Sequence, residues 1–298
     1  MKTSLDHLPL RAQGELDKIK DLILDEFDSF IMNATQPWKR RGRILRIILF
    51  GSFARGDHVW GHPGYGYQSD YDILVIVNHR RLASYDDIWW SPLEDRMMRL
   101  ARRPATVIVH SIDFVNDHLA KGQFFFTAIK KEGVLLHDSG TRELADKKVD
   151  LSPEERRDIA REHYKMWFPG DGEFMIDANA CIKRGNLKKA AFELHQAAES
   201  LYNCVLLVLT NYTPSTHNIL HLRNLANNVD TRFRDILLED SRAHKRAVQR
   251  LKDAYVKGRY SRHYEVTEDE LAWLRGQVEM LRDRVKEACR DRIGTEGL

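Results

Sequence analysis

Two short stretches constrain this chain more than anything else in it. The first is Leu49-Phe50-Gly51-Ser52-Phe53-Ala54-Arg55-Gly56, and the second is Ser69-Asp70-Tyr71-Asp72-Ile73-Leu74-Val75-Ile76-Val77. In the first, an apolar run ends in Gly-Ser. In the second, an apolar run opens with two aspartates one residue apart. Ile44 to Phe50 predicts a buried strand and Ser69 to Val77 the next one. Residues i and i+2 of a strand point the same way, so Asp70 and Asp72 should project from one face of one strand end. Carboxylates that close repel unless a cation lies between them. Hard oxygen ligands suit Mg2+, which takes one or two carboxylates and fills its other positions with water and substrate phosphates. Gly51 lets the backbone come close to a ligand. Exposed N–H groups at the following helix start, with the Ser52 hydroxyl, are suited to phosphate oxygens, and Arg55 is placed to neutralise their charge. Together these parts predict a nucleoside triphosphate held through its phosphates, with metal bridging to the carboxylates.

The pattern Gly-Ser-x-Ala-Arg-Gly, then Ser-Asp-x-Asp-Ile-Leu-Val, resembles the minimal nucleotidyltransferases of the DNA polymerase β superfamily over roughly residues 10 to 140. The resemblance implies that Gly51 and Ser52 hold the β and γ phosphates, with Arg55 and Ser69 as further nucleotide-binding residues. It implies that Asp70 and Asp72 are catalytic and bind the Mg2+ ions that act on the attacking group and the α-phosphate. The implied reaction passes the NMP of an NTP, ATP in the first instance, to a hydroxyl of a protein, an RNA or a small molecule. Two departures stand out. The loop Asp57 to Gln68 is longer than the minimal form and carries His58, His62, Tyr65 and Tyr67. The family also places a third carboxylate on a following strand, whereas Ala105-Thr106-Val107-Ile108-Val109-His110 has none; His110 and Asp113 are the candidates to replace it. The competing reading is a non-catalytic nucleotide-binding, regulatory or toxin–antitoxin-like module.

Around this core the chain reads in order as a helix over Leu10 to Asn33, the two strands, a helix over Ser84 to Arg102, and a third strand over Ala105 to His110. Helices over Ser111 to Ala120 and Gln123 to Lys131 and an edge strand at Gly133 to His137 follow. Residues 1–140 are expected to form the transferase domain, 141–151 a linker and 152–298 a helical bundle, giving an α+β chain with an all-α second half. Ser152-Pro153-Glu154-Glu155 and Thr267-Glu268-Asp269-Glu270 are capping signatures that open helices. Gly170-Asp171-Gly172 predicts a break. Leu187 to Thr210 carries the clearest apolar stripe, through Ala191, Leu194, Ala198, Leu201, Val205 and Val208. Leu194-His195-Gln196-Ala197-Ala198-Glu199-Ser200-Leu201, His217-Asn218-Ile219-Leu220 and Ala254-Tyr255-Val256-Lys257-Gly258-Arg259-Tyr260-Ser261 resemble the HEPN family, in the branch found in sacsin, over roughly 153 to 290. That family commonly dimerises, so a homodimer through the helical domain is implied. Its ribonucleases use Arg and His four to six residues apart late in the bundle. Arg259 and His263 have too short a gap, and Arg157 and His163 lie in the first helix, which argues against ribonuclease activity. His195 reads as a helix-interface histidine, with a phosphate-binding role for His195, Lys257 or Arg259 as the alternative.

Composition narrows the setting. There are 47 Lys and Arg against 44 Asp and Glu, a net +3, too little by itself to argue for a nucleic-acid partner. Trp38-Lys39-Arg40-Arg41-Gly42-Arg43 reads as a solvated basic turn, with a phosphate-binding patch as the alternative. Cys181, Cys204 and Cys289 are far apart and without metal-ligand spacing, as in a reducing compartment. Leu201 to Leu209, the most apolar run, is too short to span a bilayer. A cytoplasmic protein is expected.

Overall fold

The computed structural model describes all residues except 33, 61–67, 85–88, 91–92, 102, 149–150 and 295–298. The chain divides into two compact units, the second beginning its main span at Leu151. In the first unit, α1 (Leu10–Met32) and the short α2 (Pro37–Arg40) precede β1 (Ile44–Phe50), and α3 (Gly51–Arg55) follows it directly. Then come β2 (Tyr71–Val77), α4 (Leu93–Ala101), β3 (Ala105–Ser111), α5 (Ile112–Ala120), α6 (Phe124–Glu132) and β4 (Val134–Asp138). The four strands form one mixed sheet in the order β3-β2-β1-β4. β1 runs antiparallel to both β2 and β4, while β2 and β3 run parallel.

The strands β1 and β2 are buried along their whole length because helices cover both faces. On one face Ile47, Leu49, Tyr71, Ile73, Val75 and Val77 pack with Leu16, Ile19, Ile23 and Phe27 of α1 and Leu93 and Met97 of α4. On the other face α5 and α6 cover the sheet, with Phe50 against Phe125 at 5.6 Å and His110 against Phe126 at 5.7 Å. The helix expected over Ser84 to Arg102 is shorter in its described part. Arg80–Ala83 forms a 3-10 turn, the buried Trp89 packs edge-on to Phe27 at 5.0 Å, and the described helix spans Leu93–Ala101. Ile88 lies outside the described residues.

The stretch expected to be a linker is fastened to the first unit. Ser139 N donates to Leu45 O, Arg46 Nη1 to Arg142 O at 2.6 Å, Ala145 N to Asn116 Oδ1 at 2.8 Å, and Lys148 N to Ala120 O.

The second unit contains α7 (Pro153–Lys183), α8 (Leu187–Thr210), α9 (Ile219–Val229), α10 (Arg242–Ala254), the short α11 (Lys257–Tyr260) and α12 (Glu268–Ile293). Both capping boxes form: Ser152 and Thr267 accept from the N–H of Glu155 and Glu270, and each Glu returns the bond to the cap. The break expected at Gly170 to Gly172 does not occur, and α7 runs through it. The reason is packing. Ser200 of α8 donates to the Trp167 carbonyl at 2.9 Å, and a Cβ at Gly170 would meet Ser200 Oγ at 3.7 Å. A Cβ there would make only ordinary contact, so it is the packing of α7 along α8 that outweighs the glycine's weak helix propensity. α8 is the central helix, with Leu194, Ala198, Leu201, Cys204 and Val205 buried. No described helix is long and apolar enough to cross a membrane.

Candidate functional site

The site is built where β1 ends and β2 begins. In the antiparallel ladder Phe50 lies opposite Asp72, so Gly51 and Ser52 leave the sheet beside the two aspartates. Gly51 has φ +72°, a conformation glycine adopts without the Cβ penalty, and this lets the chain turn from strand into α3 in one residue. α3 is only five residues long and ends at Gly56, φ +97°, whose N–H returns to the Ser52 carbonyl. Two basic residues from the chain start hold its last carbonyls: Lys2 Nζ donates to Ala54 O at 2.8 Å and His7 Nε2 bonds Phe53 O at 2.9 Å.

Asp70 is one residue before the regular strand and Asp72 is its second residue. Both are buried, at 2% and 0% exposure. Alternation sends Tyr71 to the α1 face, where its hydroxyl donates to Glu15 Oε2 at 2.8 Å. Burial first, and then that bond, raise the Tyr71 phenol's pKa. The aspartates point to the opposite face. Thr106 stands directly beside Asp72 in the parallel ladder with β3, and its hydroxyl donates to Asp70 Oδ2 at 3.3 Å. This is the place on the next strand where the resemblance leads one to look for a carboxylate. His110 and Asp113, the candidates for that role, are not here. His110 pairs in register with Ile76 at the other end of β2 and stacks on Phe114 at 4.3 Å; burial pushes its pKa down to about 3. Asp113 lies at the start of α5 and bonds Arg142 at 2.6 Å. The parallel direction of β3 puts its first residues, not its last, beside the aspartates.

Of the other expected site residues, Ser52, the second residue of α3, is fully buried. Ser69 is buried and committed to the loop, its hydroxyl accepting from Val59 N at 2.9 Å and its N–H donating to Val59 O. Arg55 is half-exposed at the end of α3, with Nε on Asp57 Oδ2 at 3.2 Å. The structure therefore brings together Gly51, Ser52, Asp70 and Asp72, with Ser69 behind them and Arg55 at the margin. His58 stacks flat on Phe53 at 4.1 Å, and burial keeps its imidazole below the usual value. His62, Tyr65 and Tyr67 lie outside the described residues.

Arg103, like Thr106, is a residue that sequence reasoning missed. It is 5% exposed and donates through Nη1 to Ser69 O and through Nη2 to Trp60 O at 2.8 Å. Its guanidinium lies 4.9 Å from the Phe53 ring, 4.8 Å from Trp60 and 5.7 Å from Tyr71. Burial lowers its pKa, opposed by Tyr71, Glu15 and Asp70, which places a buried cation within electrostatic reach of the Asp70 carboxylate. Arg103 thus ties the loop and the start of β2 into one piece.

Among the described residues no group of three or more His, Cys, Asp or Glu side chains is arranged around a point that a metal would fill. The donors present are two carboxylates and a hydroxyl. That set fits a hard cation taking its remaining ligands from phosphate and water, and not a closed protein cage.

In the helical unit, His195 is fully buried at the α8 interface, and its Nε2 bonds the His217 carbonyl at 3.1 Å. His217 Nδ1 meets Glu199 Oε1 at 2.9 Å, and Tyr255 Oη bonds His217 Nε2 at 3.0 Å. The helix-interface reading of His195 is the one the packing supports. Lys257 pairs with Asp253 at 2.9 Å, His163 bonds Asn211, and the Arg259 side chain lies outside the described residues.

Residues 31–161 match the family model for a nucleotidyltransferase domain, and residues 164–288 match the one for a HEPN domain. A Methanocaldococcus jannaschii protein named "Putative protein adenylyltransferase" is 55% identical over 38 residues. That stretch is 13% of this chain and 31% of that protein's length.

Proposed function

We propose that this chain, a nucleotidyltransferase domain joined to a HEPN domain, binds an NTP, with ATP as the expected form, and transfers its NMP to a hydroxyl acceptor. The observation that carries the reading is the pair of buried carboxylates, Asp70 and Asp72, set across one ladder from the Gly51-Ser52 turn. Two adjacent carboxylates in a buried position are costly without a cation, and a triphosphate is what a Gly-Ser turn beside them suits.

In this reading Gly51 lets the backbone approach the terminal phosphates and Ser52 offers a hydroxyl and an N–H to them. Asp70 and Asp72 would hold Mg2+, which supplies charge neutralisation on the triphosphate. Thr106 orients Asp70 through its hydrogen bond, and Arg103 fixes the peptide before it. Arg55, at the open end of α3, leaves Asp57 for a phosphate oxygen. The acceptor hydroxyl gives up its proton to water as its oxygen attacks the α-phosphorus, the bond to the bridging oxygen breaks, and pyrophosphate departs. Alignment and charge neutralisation supply most of the acceleration in such a transfer. The helical unit is assigned acceptor recognition or homodimer formation.

The test is incubation with α-labelled ATP and Mg2+ and measurement of pyrophosphate release. Release that Asp72→Asn lowers at least a hundredfold supports the enzyme, since even second-layer partners of a metal ligand are worth about 10–100-fold. Release unaffected by Asp72→Asn sinks it. Thr106 favours one alternative, a non-catalytic nucleotide-binding module: a hydroxyl stands beside Asp72 and cannot carry a metal's charge as a carboxylate does. Mg2+-dependent ATP binding with no pyrophosphate release under any divalent ion would establish that alternative.

A further inference from the structure

The net charge of +3 hides an uneven distribution. The basic segment before β1 and the segment His79-Arg80-Arg81 after β2 are far apart in sequence. The fold joins them, because Ile44 at the start of β1 lies opposite Val77 at the end of β2. Asn78 fastens the junction: Nδ2 donates to Arg41 O at 2.7 Å, Oδ1 accepts from Arg43 N at 2.9 Å, and its own N–H donates to Arg43 O. Trp38 stacks on His79 at 5.8 Å, and the Arg81 guanidinium lies 5.7 Å from the Trp38 ring. Lys39 Nζ sits 3.6 Å from the centre of the Phe30 ring.

Six cations, Lys39, Arg40, Arg41, Arg43, Arg80 and Arg81, thus share one end of the first unit. Removing these six from the 47 basic residues leaves 41 against 44 acidic ones, so the patch carries more than the whole net charge. The five arginines are exposed. Among the described residues none of the six has a carboxylate within ion-pair distance, whereas Arg11, Arg232 and Arg246 elsewhere are paired with Glu15, Asp230 and Glu270. Unpaired like charges raise a local positive potential that a polyanion relieves. Five of the six are arginine, whose planar fork matches phosphate oxygens and stacks on flat rings. Guanidinium groups interleaved with Trp38 and His79 combine backbone charge with ring surfaces, as single-stranded nucleic acid requires.

We propose that this patch binds a single-stranded nucleic acid through its phosphate backbone. It lies at the opposite end of β1 and β2 from Gly51 and Asp72, about 20 Å away at the rise of a strand. The proposal therefore stands whether or not the cleft turns over.

The test is fluorescence anisotropy of the full chain with labelled oligouridylate and its deoxy counterpart across a salt series. Both are expected to bind, with log affinity falling linearly against log salt. The variant Arg41→Gln/Arg43→Gln/Arg81→Gln is expected to bind about tenfold or more weakly and to lose about two units of salt slope, at roughly 0.7 per phosphate contact. The structural bonds of Arg41 and Arg43 at this junction are made by their backbones, so Mg-ATP binding should be unchanged. Arg40→Gln/Arg80→Gln serves if the triple variant does not fold. RNA binding tighter than DNA would add a contact to the ribose hydroxyl, and equal affinities would assign binding to the backbone alone. Absence of oligonucleotide binding at low salt, binding that survives the substitutions, or binding to phosphatidylserine vesicles in place of oligonucleotides would overturn the proposal.

Discussion

Thr106 is the residue on which the chemistry of the cleft turns. It fills the ladder position beside Asp72 and donates to Asp70. Thr106→Val keeps the shape and removes the donor. It is expected to weaken Mg2+-dependent ATP binding about 10–100-fold, read by calorimetry, with little change in the unfolding midpoint. Arg103→Met should act differently. It leaves the carbonyls of Ser69 and Trp60 without their buried donor, so a loss of about 2–5 kcal/mol in denaturant unfolding is expected. The aspartates were legible because a spacing of two on a strand has one geometric meaning. Arg103 and Thr106 were not, because only the parallel pairing of β3 with β2 brings them to Ser69 and Asp72. The same pairing carries His110 away from the site.

At the scale of elements, helices were legible where apolar period and cap agreed, as in Leu187 to Thr210 and in both capping boxes. Ser152→Ala should cost about 1 kcal/mol, measured by chemical denaturation, because it removes the hydrogen bond to Glu155 N. The glycine pair in α7 misled because local propensity says nothing about the long helix α8 that packs along α7. A Cβ added at Gly276 in α12 would meet nothing within 4 Å. Gly276→Ala should therefore stabilise the helical unit by about 0.8–1 kcal/mol, a gain visible as a raised melting temperature. The stretch around Ser139 to Lys148 looked like a linker because it is polar. Its hydrogen bonds go to the first unit's backbone and side chains, which no composition signal carries.

At the scale of the molecule, two units share one chain, and each buries a histidine that acid destabilises, His110 in the first and His221 in the helical unit. Burial holds the His221 imidazole of the helical unit at about 4, below its ordinary 6.5. A histidine whose folded pKa is depressed keeps the fold stable above its unfolded value. That stability is lost as pH falls from about 6.5 towards 4, at about 1.4 kcal/mol per pH unit at most. Thermal unfolding of the full chain between pH 7 and pH 4.5 should show this loss, and His221→Asn should reduce it, leaving the share that belongs to His110. Net charge, also a whole-molecule quantity, gave no hint of the six-cation patch: four of its cations are neighbours in the sequence, and the antiparallel pairing of β1 and β2 brings Arg80 and Arg81 to them.

The central claim is that Gly51-Ser52 and Asp70/Asp72 act as one metal–triphosphate site. Isothermal titration of a non-hydrolysable ATP analogue, with and without Mg2+, into the wild-type chain and Asp72→Asn tests it most directly. Saturable binding that requires Mg2+ and is lost in the variant is expected. Equal binding without Mg2+, or undiminished binding in Asp72→Asn, would contradict it.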